Sequence, residues 1–473
     1  MAWSIGLHLG EHFSEVVAQF NGEAVSPDGP GRLVKKRFFT PQMAPEAGLS
    51  QFLTENSIQK IDRAQLATSW PQRIIEARHG SSIAVLTTSG FESWLELTQP
   101  LKTQFFSPHP ERPTPLFDSE FVFGVNERVN AQGHIEKLLE ETELEFLCSK
   151  LELNQIKNIA VCFLHSYKNS TNENLARKYL EAKGYQVYIS SQWAPSPGPV
   201  PDHSQNEKTR FWQTIRNAYC RPLFAERLQK ISDLLTPLLS DPSQLKMGKD
   251  DLSQSISGLT APLADSNSVT DFITQKFAPA TPLLYCGLEE FVLLDGSRRK
   301  STPISNEKLR LQPLTTLGRT FLSPISFRPE TASYDPGPIT FGRGHTPTLF
   351  DLVVSAKDFV PPMGAAEKVT DRGRNRLNEH MVAYARSSSD KMNVPADQLI
   401  KALLQMAGEI LRDDIRNKLV TQNAAKNVIE LRIAGPLAAI IAPLLRAPLF
   451  KVTALDDEFL AAKALLLSAG GVA

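Results

Sequence analysis

Tyr334-Asp335-Pro336-Gly337-Pro338-Ile339-Thr340-Phe341-Gly342-Arg343-Gly344-His345-Thr346-Pro347-Thr348-Leu349-Phe350-Asp351 is the stretch on which the reading of this chain turns. Its glycines and prolines recur in a pattern too particular to follow from composition. Pro336, Gly337 and Pro338 exclude a helix and lock a turn, because proline lacks an N–H and restricts the residue before it. Asp335, Arg343 and Asp351 are its candidate polar site residues. They could serve a substrate or partner site, but the structural reading is favoured, with Asp351 capping the next element.

Working outward, the flanking sequence alternates strand and helix patterns. Trp3 to Leu9 reads as a strand turning at Gly10, and Phe13 to Phe20 continues with alternating apolar residues, so an opening hairpin is predicted. Ser82 to Gly90 is a strand leading into a helical segment from Glu92 to Leu97. Ile156 to Leu164 is a nearly continuous apolar strand of the kind buried on both faces. Asn172 to Ala182 follows as an amphipathic helix stopped by Gly184, and Gln186 to Ser190 is another strand. The alternation predicts an α/β fold with a largely parallel sheet. Residues 193–202 carry four prolines and read as loop or hinge. One long helix is predicted from about Glu207 to Leu235. Thr281 to Gly287 and Phe291 to Gly296 form a strand-turn-strand pair. Gln398 to Leu419 is an amphipathic helix, and Val428 to Ile433 is the final buried strand, followed by a helix.

Composition narrows the function classes. The 473 residues suffice for two or three domains with cores of their own. With 51 basic and 51 acidic residues, nothing favours a grip on nucleic acid or on an anionic membrane, and both are set aside as partners. The longest apolar stretch, Ile433 to Leu445, is interrupted by Pro436 and Pro443 and is shorter than the roughly 20 residues that span a bilayer. No basic-then-apolar leader opens the sequence, so a cytoplasmic location is expected. Cys148, Cys162, Cys220 and Cys286 are scattered, with no metal-ligand spacing, and read as buried thiols. His8 and His12 lie in a strand and turn, not on one helical face, so no metal site is assigned to them. No catalytic residue is identified by spacing.

Four anchors carry a family resemblance, collinear over nearly the whole chain. Glu127-Arg-Val-Asn-Ala-Gln-Gly133 resembles a Glu-Arg-Leu-Asp-Ala-Asp-Gly turn, and Val161-Cys-Phe-Leu-His-Ser-Tyr-Lys-Asn169 a Val-Cys-Leu-Leu-His-Ser-Tyr-x-Asn strand end. Asn217-Ala-Tyr-Cys-Arg-Pro222 resembles an Asn-Ala-Tyr-x-x-Pro helix, and the run ending at Asp351 is the fourth. The family is that of hydantoinase A and 5-oxoprolinase, close to subunits of acetone and acetophenone carboxylases. The resemblance implies an actin/sugar-kinase-like (ASKHA) pair of α/β domains with ATP in the cleft between them. It divides the chain into an N-terminal domain at residues 1–192, a proline-rich linker at 193–206 and a second domain at 207–473. The second would include a helical part at 369–420 and a strand-helix end at 428–473, with the family's usual C-terminal domain expected to be absent.

The resemblance also implies nucleotide-binding turns, at which backbone N–H groups face phosphate and glycine permits close approach. Gly6, Gly10, Gly287, Gly318 and Gly435 are the remnants of those turns. Their neighbours depart from the pattern. His8 stands where the family has a metal-organising aspartate, Glu11 where it has a glycine, and His12 where it has a threonine. A carboxylate repels phosphate, and hard cations take oxygen rather than imidazole. Leu288, Phe321 and Arg432 replace further nucleotide-facing positions. Positioning and electrostatics supply nearly all catalysis of phosphoryl transfer.

The expectation is therefore a non-catalytic, pseudo-ATPase subunit, structural or regulatory, of a hetero-oligomeric ATP-dependent carboxylase acting on a ketone such as acetophenone or acetone. Its partners would be hydantoinase A- and B-like subunits. No cofactor is assigned to the chain itself: ATP and Mg belong to the complex, and residual ATP binding stays open. The alternatives are an active ATP-dependent carboxylase, hydantoinase or oxoprolinase subunit, and a stand-alone binding or regulatory module.

Overall fold

The computed structural model describes residues 2–10, 13–22, 32–39, 44–68, 70–77, 80–95, 115–192, 203–223, 225–247, 250–251, 281–287, 291–294, 351–352, 371–388, 395–420, 428–455 and 457–468. In chain order the strands are β1 (Trp3–Leu9), β2 (Phe13–Phe20), β3 (Leu33–Phe39), β4 (Ile61–Thr68), β5 (Ile83–Thr88), β6 (Val122–Val125), β7 (Arg128–Val129), β8 (Ile135–Lys137), β9 (Asn158–Cys162), β10 (Gln186–Ile189), β11 (Leu245–Met247), β12 (Asp250–Asp251), β13 (Leu283–Cys286), β14 (Phe291–Leu294), β15 (Ile429–Ala434) and β16 (Phe450–Ala454). The helices are α1 (Pro45–Glu55), α2 (Trp70–Ala77), α3 (Glu141–Leu153), α4 (Thr171–Ala182), α5 (His203–Cys220), α6 (Ala225–Leu235), α7 (Asp371–Ser388), α8 (Ala396–Val420), α9 (Ala438–Leu445) and α10 (Leu460–Ser468).

Two compact units divide the chain. One comprises Met1–Ser69, Leu234–Gly248 and Ser266–Ala473, the other Trp70–Asp233 and Lys249–Asp265. They are interleaved in sequence, unlike the linear division at 193–206 expected from the resemblance. The reason lies in β1, which pairs with β2 and β4 near the N-terminus yet packs its face against α10 at the other end of the chain.

In the first unit β1 pairs antiparallel with β2 and parallel with β4, β2 pairs antiparallel with β3, and β4 pairs parallel with β11. The predicted hairpin is present over both strands, and β1 is buried along its whole length. A second sheet runs β14-β13-β15-β16, with β13, β15 and β16 parallel. Its core joins Leu284, Cys286 and Ile433 to Leu403, Ala407, Leu411 and Ile415 of α8 and to Phe13 of β2. The pair β13–β14 forms as expected, antiparallel, with Leu283 opposite Leu294 and Cys286 opposite Phe291.

The second unit holds the sheet β10-β9-β5-β6, parallel throughout. Strands β5 and β9 are apolar on both faces because helices cover a parallel sheet. Leu144, Leu147, Cys148 and Leu151 of α3 and Ala176 and Leu180 of α4 pack into its core. Helix α4 stops as predicted: Gly184 adopts φ +90°, its N–H donates to Glu181 O at 3.0 Å, and Tyr185 N–H donates to Leu180 O at 3.1 Å. The helix expected from Glu207 to Leu235 is instead two, α5 and α6, separated by a short 3-10 turn over Arg221–Leu223. Pro222 explains the break, since it has no N–H to continue the ladder.

Candidate functional site

Two of the four sequence anchors, those of Glu127 and His165, meet at the carboxyl ends of the parallel sheet of the second unit, where α/β folds place ligands and chemistry. β5 delivers Thr88, β9 leads to His165 and Ser166, and β10 leads to Ser190. α4 contributes Asn172 and Glu173, and α5 contributes Glu207 and Arg210. Arg210 is 1% exposed and donates through Nη1 to Ser166 Oγ at 3.0 Å, Ser190 O at 3.1 Å and Ser190 Oγ at 3.2 Å, and through Nη2 to Glu207 Oε2. Its guanidinium carbon stands 4.9 Å from the centre of the Tyr167 ring. The other Glu207 oxygen accepts from His165 N–H at 2.9 Å, with the His165 Nδ1 atom 3.6 Å away. His165 is held at φ +56°, a left-handed conformation that is uncommon for a side-chain-bearing residue.

Two further buried carboxylates complete the cluster. Glu173 accepts from Phe163 N–H at 3.0 Å, Ser190 Oγ at 2.6 Å and Ser191 N–H at 2.7 Å. Glu127, from the first anchor, accepts from Thr88 Oγ1 at 2.5 Å and Asn172 Nδ2 at 2.7 Å. Thr88 Oγ1 in turn accepts from Leu164 N–H at 3.0 Å. The same anchor ends in a turn at Gly133, φ +91°, whose carbonyl accepts from Asn169 Nδ2 at 2.9 Å. Burial pushes the Glu207 carboxyl above its ordinary value against the pull of Arg210 and the His165 N–H. Burial also raises Glu127, against its bonds from Thr88 and Asn172. The Cys162 thiol, fully enclosed, is raised well above its usual range and stays protonated. The cluster therefore fastens strand ends and helix starts through bonds it makes with itself. His165 and Tyr167 of the second anchor take part in it. Tyr219 of the third anchor is structural too: a Cβ on Gly80 would come within 2.1 Å of its ring.

The glycines assigned to nucleotide turns lie in the first unit, except Gly318, which is outside the described residues together with Glu11, His12, Leu288, Phe321 and the run 334–350. Gly6 is not in a turn. It sits within β1 opposite Val17 and Gln65, and a Cβ there would meet Ala462 O at 2.1 Å and Leu466 N at 2.5 Å, so it admits α10 against the strand. Gly10 closes β1, beside Leu9, whose carbonyl accepts from Thr68 Oγ1 at 2.9 Å. Gly287 follows β13, and Gly435 follows β15 at φ +105°, where a Cβ would meet Cys286 O at 2.6 Å. Gly287 and Gly435 thus adjoin at the carboxyl ends of two parallel strands. Phe13, just past Gly10, shares a core with Cys286 and Ile433. Burial holds the Cys286 thiol well above its usual range.

His8 shares the face of β1 that carries Gly6, since residues two apart on a strand point the same way. It is buried, and its cross-strand partner on β2 is Glu15. Glu15 in turn pairs with Arg37 of β3, whose Nε donates to Glu15 Oε1 at 2.8 Å. Arg37 Nη2 also donates to Glu458 O at 3.1 Å, and its guanidinium lies 4.5 Å from the Phe459 ring centre. Glu15 Oε2 is buried without a hydrogen-bond partner among the described residues. Arg432 is a half-buried residue of β15. Asp351 is completely buried.

Sequence reasoning missed both arginine–glutamate pairs. Glu207 and Arg210 stand three apart on a helix whose neighbours Phe211, Thr214 and Ile215 are apolar or small, a placement that marks charges turned inward.

Residues 22–184 match the family described as the hydantoinase/oxoprolinase N-terminal region. That match, over about a third of the chain, fits the hydantoinase/oxoprolinase family. The matched region contains the Glu127 and His165 anchors and most of the parallel sheet of the second unit. Over 153 residues the chain is 29% identical to an uncharacterized protein of Methanocaldococcus jannaschii, covering 32% of this chain and 22% of that protein. Over 200 residues it is 25% identical to the acetophenone carboxylase gamma subunit of Aromatoleum aromaticum, covering 39% and 27%. The chain thus spans about a quarter of the length of these two relatives. A nucleotide-free acetone carboxylase structure superposes with a TM-score of 0.72 over 98% of this chain and 69% of that chain at 16% identity. A likeness at that identity is one of fold, and it agrees with the fold class expected from the resemblance. Among the described residues, no helix is long and apolar enough to cross a membrane.

Proposed function

We propose that this hydantoinase/oxoprolinase-family chain is a non-catalytic, actin-like subunit of a hetero-oligomeric ATP-dependent carboxylase acting on a ketone, with hydantoinase A- and B-like subunits as partners. The observation that carries this reading is the row His8–Glu15–Arg37. At the position that family resemblance gives to a metal-organising aspartate there is a buried imidazole, and the neighbouring carboxylate is already committed to a guanidinium. Magnesium takes oxygen ligands, which an imidazole at position 8 does not offer, and a cation at Glu15 would stand against the Arg37 guanidinium. Backbone atoms also fill the space beside Gly6 and Gly435 that a phosphate cradle would leave open. In our reading these residues do not fit Mg-ATP, and no reaction step is routed through it. The ketone carboxylase class draws on the acetophenone carboxylase gamma subunit and on the fold shared with acetone carboxylase.

A second reading, an ATP-competent carboxylase, hydantoinase or oxoprolinase subunit, is favoured by one observation: Gly287 and Gly435 still adjoin at strand ends. ATP hydrolysis separates the two. The purified chain should show no Mg-dependent hydrolysis above buffer, whereas its co-purified assembly with A- and B-like subunits should. Turnover by the isolated chain, lost on Gly10→Asp, would establish the second reading instead.

A further inference from the structure

We propose that the outer face of α3, centred on Phe146 and Leu153, docks a basic amphipathic helix of a partner subunit. Nine large apolar side chains are exposed among the described residues, and four of them, Ile135, Leu138, Phe146 and Leu153, fall within residues 135–153. Phe146 is 68% and Leu153 86% exposed. A helix needs one apolar face to join a core, and α3 already has it in Leu144, Leu147, Cys148 and Leu151. Phe146 and Leu153 form a second apolar stripe with no task inside the unit, since residues seven apart lie on one face of a helix.

The charge around that stripe identifies the occupant. Glu145 and Glu152 each precede an apolar residue of the stripe, so glutamate and apolar side chain repeat together at the seven-residue spacing of a helix-helix seam. Along residues 135–153 the exposed charges are Glu136, Glu140, Glu141, Glu145 and Glu152 against Lys137 and Lys150. Lys150 is folded over the Phe146 ring, 4.8 Å from its centre, and over Phe123 at 5.7 Å, the arrangement a cation from a partner would extend or replace. Two copies of this acidic face would repel one another, which disfavours a second copy of the chain. A helix with apolar residues in heptad register and lysine or arginine beside them complements both features.

This proposal rests on the subunit reading above and supplies the surface it requires. The test uses the full chain and Phe146→Ser/Leu153→Ser, with circular dichroism to establish that both are folded. Two designed three-heptad peptides with leucine seams serve as probes, one flanked by lysine and one by glutamate, and binding is read by fluorescence anisotropy at low and high salt. The lysine peptide should bind the native chain, weaken as salt rises, and lose at least about tenfold in affinity on the double substitution; the glutamate peptide should not bind. No lysine-peptide binding, equal binding of both peptides, or unchanged binding to the variant overturns the proposal. So does native self-association that the substitutions abolish. Co-expression with A- and B-like subunits separates this claim from the one beneath it. An assembly formed equally by native and variant chains removes the docking face and leaves the subunit reading standing. Selective peptide binding with no assembly removes the subunit reading and leaves the docking face.

Discussion

The two units each bury an arginine–glutamate pair, and the pairs differ in which partner is incompletely bonded: among the described residues a Glu15 oxygen lacks a hydrogen bond in one, and Arg210 Nε in the other. In the second unit every oxygen of Glu207 and Glu173 accepts a bond, and Arg210 ties together the ends of two strands and the start of a helix. In the first unit Glu15 has one oxygen on Arg37 and the other without a partner among the described residues. The motif sequence survives where its atoms are structural fasteners. Along β1 the sequence departs from the motif at His8, where the resemblance implies a nucleotide-binding turn.

That contrast can be broken experimentally, and the largest effect is expected at Arg210. Arg210→Met leaves Glu207 buried and uncompensated and should cost about 3–5 kcal/mol in urea denaturation. A loss below about 1 kcal/mol would mean that the cluster is not the fastener described. Replacing both partners, Glu207→Leu with Arg210→Met, should still cost about 2–4 kcal/mol, because Ser166, Ser190 and the His165 N–H lose bonds worth about 1 kcal/mol each. Next come the glycines: Gly6→Ala and Gly435→Ala should each cost about 1–3 kcal/mol, since their Cβ atoms meet backbone that can yield only by shifting an element. The corresponding pair swap in the first unit, Glu15→Leu with Arg37→Met, should be within about 1 kcal/mol of neutral or stabilising, because an apolar pair removes an incompletely satisfied charge. Equal losses from the two pair swaps would erase the contrast between the units.

The smallest effect is a slope. The Glu127 carboxyl is raised in the fold above its ordinary 4.5, chiefly by burial. The folded state therefore holds its proton more tightly than the unfolded state. Its contribution is complete below the unfolded value and is lost as pH rises through the folded one. Glu127→Gln, which imitates the protonated side chain, should have a flatter stability profile from pH 4.5 upward. A native profile parallel to that of the variant would show that burial does not govern this carboxyl.

Much of the fold was legible because it rests on local signals. The β1–β2 hairpin follows from two apolar runs around Gly10, β9 from an uninterrupted apolar run, and the end of α4 from Gly184. The break between α5 and α6 was also written in the sequence, at Pro222, but an apolar periodicity continuing on both sides of it masked the signal. The candidate site was less legible. Gly6 reads as part of a phosphate turn in one dimension and serves as a helix-packing position in three, because its neighbour Ala462 lies at the far end of the chain. The Glu207–Arg210 cluster draws its partners from residues 166 and 190, so no local pattern encodes its closure.

The central claim is that the strand ends of the first unit no longer receive Mg-ATP, and isothermal titration of the purified chain tests it most directly. The account predicts no saturable heat with millimolar Mg-ATP and no rise in melting temperature. A saturable, magnesium-dependent signal with matching thermal stabilisation, abolished by Gly10→Asp, would contradict it.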